Sequence, residues 1–283
     1  GPVSGPCRVP KKAHMKPISQ SPTDPEFVQN PYLFYDICRQ ETALVYWQDY
    51  DMKAVFDHDT VAHILKDKRF GREIPTEMRR PIPDRLRAFY DIEAHSMLEL
   101  EAPRHTRLRG LVLRAFTSRR IAALGPEIEQ LSHALIDQFP TDDFDLIPTF
   151  ANQIPVIIIA RLLGVPESMA PELLRWSNDM VMMYQAKRTS ADEDRAVQSS
   201  REFADFMTGY INERRNEPAD DLITHLIAAE ADGQKLSTEE LITTCILLLN
   251  AGHEATVHTL GNGMGIQYKT FRWSYYQYEI QYR

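Results

Sequence analysis

Leu247-Leu248-Leu249-Asn250-Ala251-Gly252-His253-Glu254-Ala255-Thr256 puts a glycine, an acid and a hydroxyl in the middle of a run that is otherwise apolar. Upstream, Ser237-Thr238-Glu239-Glu240 has the spacing of a capping box, with Ser237 as N-cap and Glu240 reaching back to it. Leu241, Ile242, Cys245 and Ile246 follow, so apolar positions cover every side of the predicted helix, the pattern of a helix buried all round. A buried carboxyl is costly unless it is partnered or used. Glycine in a helix interior costs roughly 1 kcal/mol relative to alanine. Close approach of something flat or bulky to the backbone is one reason to carry that cost. A core helix with a packing glycine and a partnered acid is the other.

Several chemistries are excluded by spacing. His253-Glu254 followed by a second histidine suggests a zinc-protease helix, but His258 stands five residues on, not four, and so lies far round the helix. Gly261-Asn262-Gly263-Met264-Gly265 follows a helix, not a strand, and lacks the full dinucleotide pattern. Neither a nucleophile elbow nor a phosphate-loop lysine motif is present.

Three further stretches carry pattern. In Ala102–Thr117, Pro103 suits a helix start, and Leu108, Leu111, Val112, Ala115 and Phe116 give an apolar face at helical spacing. His105 and Arg109 stand one turn apart on that helix, a suitable clamp for a carboxylate or simply part of a solvated basic face. Asp145–Pro166 reads as a buried helix stopped by Gly164 and Pro166. Asp220-Asp221 before Leu222 opens another helix, and Asp232-Gly233 is turn chemistry. Near the N-terminus, Ala43–Trp47 and Met52–Phe56 predict a short hairpin by their β-branched and aromatic content.

Ala-Gly-x-Glu-x-Thr within a long apolar helix resembles the oxygen-binding helix of the cytochrome P450 monooxygenases, and the other stretches fall in the order of that family. The resemblance runs from about residue 25 to Met264. It implies a mainly α fold, the N-terminal part of the cytochrome P450 fold with a small β-sheet near the N-terminus. It also implies a haem cofactor, oxygen activation and hydroxylation of a small organic substrate. His105 and Arg109 match the pair that holds a haem propionate; Ala251, Gly252 and Ala255 match the helix surface over the haem, where the glycine leaves room for oxygen. Glu254 and Thr256 are the candidate catalytic residues, Glu254 for proton delivery. Most members carry a threonine where this chain has Ala255. Thr256 lies about 100° further round the helix and cannot simply take its place, so a substrate hydroxyl or an ordered water is expected to substitute, or coupling is expected to suffer.

The family's axial thiolate comes from a Phe-x-x-Gly-x-x-x-Cys loop beyond this helix, preceded by a Glu-x-x-Arg helix. The three cysteines here are Cys7, Cys38 and Cys245. Cys7 sits in a Pro/Lys-rich leader, Cys38 in the first helix, and Cys245 nearly two turns before Gly252 on the wrong side. The expected organisation is a leader at 1–14 with Met15 as a natural start, a partial P450 domain at 15–264, and an aberrant Tyr-rich tail at 265–283. A frameshifted or mis-joined reading frame explains the tail; a short aromatic β-hairpin is the alternative. An inactive fragment is then expected, with a non-catalytic helical remnant or weak haem-binding scaffold as the other reading.

A net charge of −8 over 283 residues argues against nucleic acid as the main partner. Arg104, Arg107, Arg109, Arg114, Arg119 and Arg120 nonetheless form a basic cluster, which by family analogy faces a ferredoxin-type electron donor. No apolar run is long enough for a membrane span, and few unpatterned cysteines suit the cytoplasm. Family analogy puts the substrate pocket in the loops around Pro75–Met97 and Met169–Arg195. There, Met180, Met182, Met183 and Tyr184 read as core, with pocket wall as the alternative.

Overall fold

The computed structural model describes residues 15–41, 44–185, 188–231 and 233–270, and the chain divides into two compact units, Gly1–Gly71 and Arg72–Arg283. The expected leader and its Cys7, Asp232 of the expected turn, and positions 271–283 of the expected tail lie outside the described residues.

In the first unit, β1 (Lys16–Ile18) pairs parallel with β2 (Val45–Trp47), which pairs antiparallel with β3 (Met52–Ala54). The predicted hairpin is therefore present. Asp51 makes its turn in the left-handed region, at φ 51°. Trp47 anchors the layer: its indole N–H donates to the Gln20 carbonyl at 2.9 Å, and Phe27, Phe34 and Phe56 pack round its ring at 5.3–6.0 Å between centroids. Cys38, expected in the first helix, lies in the second of two short ones, α1 (Pro25–Gln29) and α2 (Tyr32–Glu41). Asn30 leaves the helical region at φ −150°, and Pro31 has no N–H to continue the ladder. The unit ends with α3 (His58–Lys66), capped by Asp57 accepting from the Thr60 N–H.

The second unit is helical except for a two-residue hairpin. α4 (Arg87–Glu93), α5 (Arg104–Ala115) and α6 (Ser118–Ile136) precede α7 (Gln153–Leu163). α8 (Ala170–Val181) and α9 (Ser190–Asn216) pack side by side through a stacked Trp176–Phe203 pair. α10 (Leu222–Ala228) leads through β4 (Glu230–Ala231) and β5 (Gln234–Lys235) into α11 (Thr238–Thr270), which lies against α7, α8 and α9. Leu163, Leu173, Phe203, Met207, Ile211, Leu222 and Leu249 are fully buried at the centre. No described helix is long and apolar enough to cross a membrane.

Local sequence accounts for the helix ends. Glu240 accepts from the Ser237 N–H at 3.0 Å while the Ser237 hydroxyl accepts from the Glu240 N–H at 3.2 Å, so the predicted capping box starts α11. Gly164 ends α7 at φ 86°, its N–H returned to the Ala160 and Arg161 carbonyls. Asp221 caps α10, accepting from the Thr224 N–H at 2.8 Å. Asp221 also receives the Arg214 guanidinium, and Arg214 donates to the Gly164 carbonyl at 3.1 Å. The ends of α7, α9 and α10 are thus tied into one buried knot.

A second buried carboxyl joins α4 to the end of α8. Glu93 is buried and accepts from the Tyr184 hydroxyl at 2.9 Å. Burial pushes its carboxyl up to about 7 and outweighs the Tyr184 hydrogen bond, which acts the other way. Because this folded value lies above the unfolded one of 4.5, the group stabilises the fold in acid and that stability is lost as pH rises through 7. Glu93→Gln is therefore expected to be more stable than the wild type at pH 8, by about 2–3 kcal/mol, and nearly equal to it near pH 4.5. Urea unfolding at the two pH values measures this; an equal offset at both would assign the effect to packing. Met180 and Met183 are core, as expected, whereas Tyr184 is 45% exposed and holds this bond.

Candidate functional site

The central part of α11 is buried on one side only. Leu241, Cys245, Ile246, Leu249, His253 and Val257 face the interior, and Ala251, Ala255, Thr256, Thr259 and Asn262 are exposed. The expectation of a helix buried all round thus holds for the first half and fails from Ala251 onward. There the residues one turn apart are small or polar and leave a continuous open strip. Ala251 and Ala255 present only methyl groups along it. Glu254 is partly buried beside the strip and has no hydrogen-bond or ion-pair partner among the described residues.

Gly252 packs closely against α7. A Cβ at this position would lie 2.9 Å from Ile159 Cδ1, so the space the glycine frees is taken by the side chain of α7. The bulky neighbour is a core isoleucine, and close packing of α11 on α7 accounts for the residue. Room on the open strip comes from the two alanines. Thr256 is exposed, but its hydroxyl donates back to the Gly252 carbonyl at 2.8 Å, so its proton is committed within the helix. Thr259 does the same to Ala255.

His105 and Arg109 are on one side of α5, His105 partly buried and Arg109 exposed, and neither has a partner among the described residues. Their neighbours are engaged. Arg104 donates to the Ala94 carbonyl at 3.1 Å, Arg107 pairs with Glu240, and Arg120 pairs with Asp220 at 2.8 Å. The Arg107–Glu240 pair ties α5 to the first turn of α11, so one glutamate both caps α11 and orients α5. Among the described residues the Arg107–Glu240 pair links α5 to α11, and neither His105 nor Arg109 makes a hydrogen bond or ion pair to the Ala251–Thr256 strip.

For a haem, the described residues offer half of a fit. The small-residue strip suits a flat ligand, and the unpartnered His105–Arg109 pair suits its carboxylates. Cys245 does not suit the iron: it is fully buried among core side chains, and burial pushes its thiol up to about 12, so it stays neutral. His253, also interior, is 3% exposed with neither ring nitrogen hydrogen-bonded, and burial brings it down to about 4. Sequence reading missed the Arg107–Glu240, Glu93–Tyr184 and Arg214–Asp221 pairs. Their partners are 133, 91 and 7 residues apart, and the local signals at Glu240 and Asp221 marked only their capping roles.

A family model described as Cytochrome P450 matches residues 27–269. The chain is 34% identical over 258 residues to the polyketide biosynthesis cytochrome P450 PksS of Bacillus subtilis (strain 168), an alignment covering 88% of this chain and 62% of PksS. It is likewise 34% identical over 245 residues to the vitamin D(3) 25-hydroxylase of Pseudonocardia autotrophica, covering 84% and 58%. P450BioI, solved in complex with an acyl carrier protein bearing hexadec-9Z-enoic acid, superimposes with a TM-score of 0.78 at 28% identity, covering 86% of this chain and 63% of that one. The chain thus spans less than two thirds of the length of these relatives. With the family pattern matched over most of its length and the same helical order in space, the chain belongs to the cytochrome P450 family.

Proposed function

We propose that this chain supplies the oxygen-side half of a bacterial-type P450 monooxygenase site, which hydroxylates a small organic substrate in the cytoplasm. The observation that carries this reading is the open Ala251–Ala255 strip of α11 with an unpartnered Glu254 beside it. A carboxylate left without a cation at the edge of an alanine-lined surface is placed for proton traffic, not for stability. His105 and Arg109 hold the haem propionates, Arg109 through its guanidinium fork. When bound, haem would supply the redox chemistry of oxygen activation. This chain's residues flank it: the alanines set the clearance, and Glu254 holds and passes a proton. Ala255 leaves the strip without a hydroxyl, and the Thr256 proton is taken by Gly252, so an ordered water or a substrate hydroxyl completes the path. Arg114, unpartnered among the described residues, presents charge to a ferredoxin-type donor.

Hemin titration of the chain, followed by Soret absorbance and tryptophan quenching, tests the reading. Saturable binding is expected, without the red-shifted carbon-monoxide band of thiolate ligation, because Cys245 is neutral and interior. The double variant His105→Ala, Arg109→Ala is expected to bind roughly tenfold or more weakly, the loss of one to two charge-assisted hydrogen bonds. Equal affinity of variant and wild type would remove the clamp. In an active holoenzyme with this helix, Ala255→Thr is expected to change the ratio of product formed to oxygen consumed.

A further inference from the structure

Away from the open strip of α11, a cavity of about 480 Å³ opens where the first turns of α6 meet the end of α7 and the start of α10. Its volume falls in the range of small-ligand pockets. Three arginines line it, Arg119, Arg120 and Arg161, with His225 beside them. Asp220 and Glu127 line it too, so three guanidinium groups face two carboxylates.

The acids do not use up the donors. Arg120 gives Nη2 to the Asp220 carbonyl and carboxylate at 2.9 and 2.8 Å, but its Nη1 is buried with no partner. A buried guanidinium nitrogen without an acceptor costs free energy until one arrives. Arg161 commits Nε and Nη2 to Glu167, which leaves Nη1 outside that pair. Arg119 has no partner among the described residues. Asp220 is shared by Arg120 and by His225, whose ring nitrogen lies 3.3 Å away. The N-terminal turn of α6 adds the positive end of a 19-residue helix. Ala123, Leu124 and Leu162 provide an apolar wall.

We propose that this cavity binds a small amphiphilic oxyanion, a phosphate monoester or carboxylate whose head is gripped by Arg119, Arg120 and Arg161 and whose body lies on Ala123, Leu124 and Leu162. Planar guanidinium groups lining one cavity are suited to such heads. The apolar wall sets the preference for an organic anion over inorganic phosphate. The site is separate from the haem reading and stands whether or not that reading does.

Isothermal titration of the chain at constant ionic strength with phenyl phosphate, benzoate, inorganic phosphate and benzyl alcohol tests it. One-to-one binding of phenyl phosphate or benzoate is expected, tighter than inorganic phosphate, with no binding of the neutral alcohol. The tighter of the two organic anions identifies the head group. Arg119→Gln and Arg161→Gln are each expected to weaken the better ligand roughly tenfold. Arg109→Gln, on α5 outside the cavity, is expected to leave it unchanged. Arg119 is exposed and unpartnered, so its variant keeps the fold, which circular dichroism confirms. Failure of both organic anions to bind at millimolar concentration overturns the proposal. So does an Arg109→Gln effect as large as that of Arg119→Gln, which would place the anion on α5.

Discussion

Replacing Asp221 by alanine is expected to lower the unfolding free energy by about 4 kcal/mol, the largest effect of any single substitution considered for this chain. Asp221 is 5% exposed and its partner Arg214 15%, so the pair is nearly removed from water. Taking away the aspartate leaves a largely buried guanidinium with the Gly164 carbonyl, the half-exposed Glu213 carboxylate and the Tyr210 ring as its remaining neighbours, and its Nε unpaired. The same carboxylate caps α10, so the loss of the pair is compounded by the loss of a helix start. For a domain of this size the melting temperature should fall by roughly 8–16 °C. Asp221→Asn keeps an acceptor for the Thr224 N–H and removes only the charge, so it should fall between alanine and wild type. A loss below about 1 kcal/mol on alanine substitution would show the pair to be as weak as a surface ion pair.

Gly164 supplies an independent check. A Cβ there would sit 2.3 Å from Asp221 Oδ2, in a backbone conformation at φ 86° that alanine also disfavours. Gly164→Ala should therefore be severe in the wild type and milder, though still costly, in the Asp221→Ala background, where the clashes with Cγ and Oδ2 are gone but the Asp221 Cβ position at 2.5 Å and the conformational part remain. A double-mutant cycle measures that non-additivity; additive losses would mean that the glycine and the carboxylate do not compete for the same space.

The second large effect is acid sensitivity from His253. Its folded value of about 4 lies below the unfolded 6.5, through burial first and the nearby charge of His258 second. Above pH 6.5 the imidazole is neutral in both states and contributes nothing to pH dependence. As pH falls from 6.5 towards 4, the unfolded chain takes up a proton that the folded one refuses, and stability is lost by about 3 kcal/mol across that window. His253→Leu should abolish this loss. It should also stabilise the protein at neutral pH, because it removes two buried nitrogens without partners. Glu93 works in the opposite direction over an overlapping window, gaining stability as pH falls from 7 to 4.5. The two trends partly cancel in the wild type. Chemical denaturation from pH 8 to 4 in the Glu93→Gln background isolates the histidine. A residual loss between pH 6.5 and 4 after His253→Leu would locate the sensitivity elsewhere.

Much of the fold was readable because its signals are local. Ser237 and Glu240 are three residues apart, Gly164 and Pro166 flank one helix end, and Asp221 stands next to the helix it caps. The order of these segments was enough to indicate the cytochrome P450 family. Candidate roles were harder to read, because a residue type does not reveal which way its side chain is used. Gly252 matched a pattern associated with ligand space, and the close approach of Ile159, 93 positions earlier, could not be read from that pattern. Thr256 offered a hydroxyl, yet its proton closes on its own helix.

The sequence by itself determined the capped or stopped ends of α7, α10 and α11, the short N-terminal hairpin and the residue set of the central helix, because capping, turn chemistry and hydrophobic period act within a few residues. Tertiary structure alone decided which side of α11 is open, that Arg107 is committed to Glu240 while His105 and Arg109 are not, and that Glu93, His253 and Cys245 are held neutral or nearly so by burial. Desolvation and long-range pairing depend on what the rest of the chain brings alongside, and no local pattern encodes that.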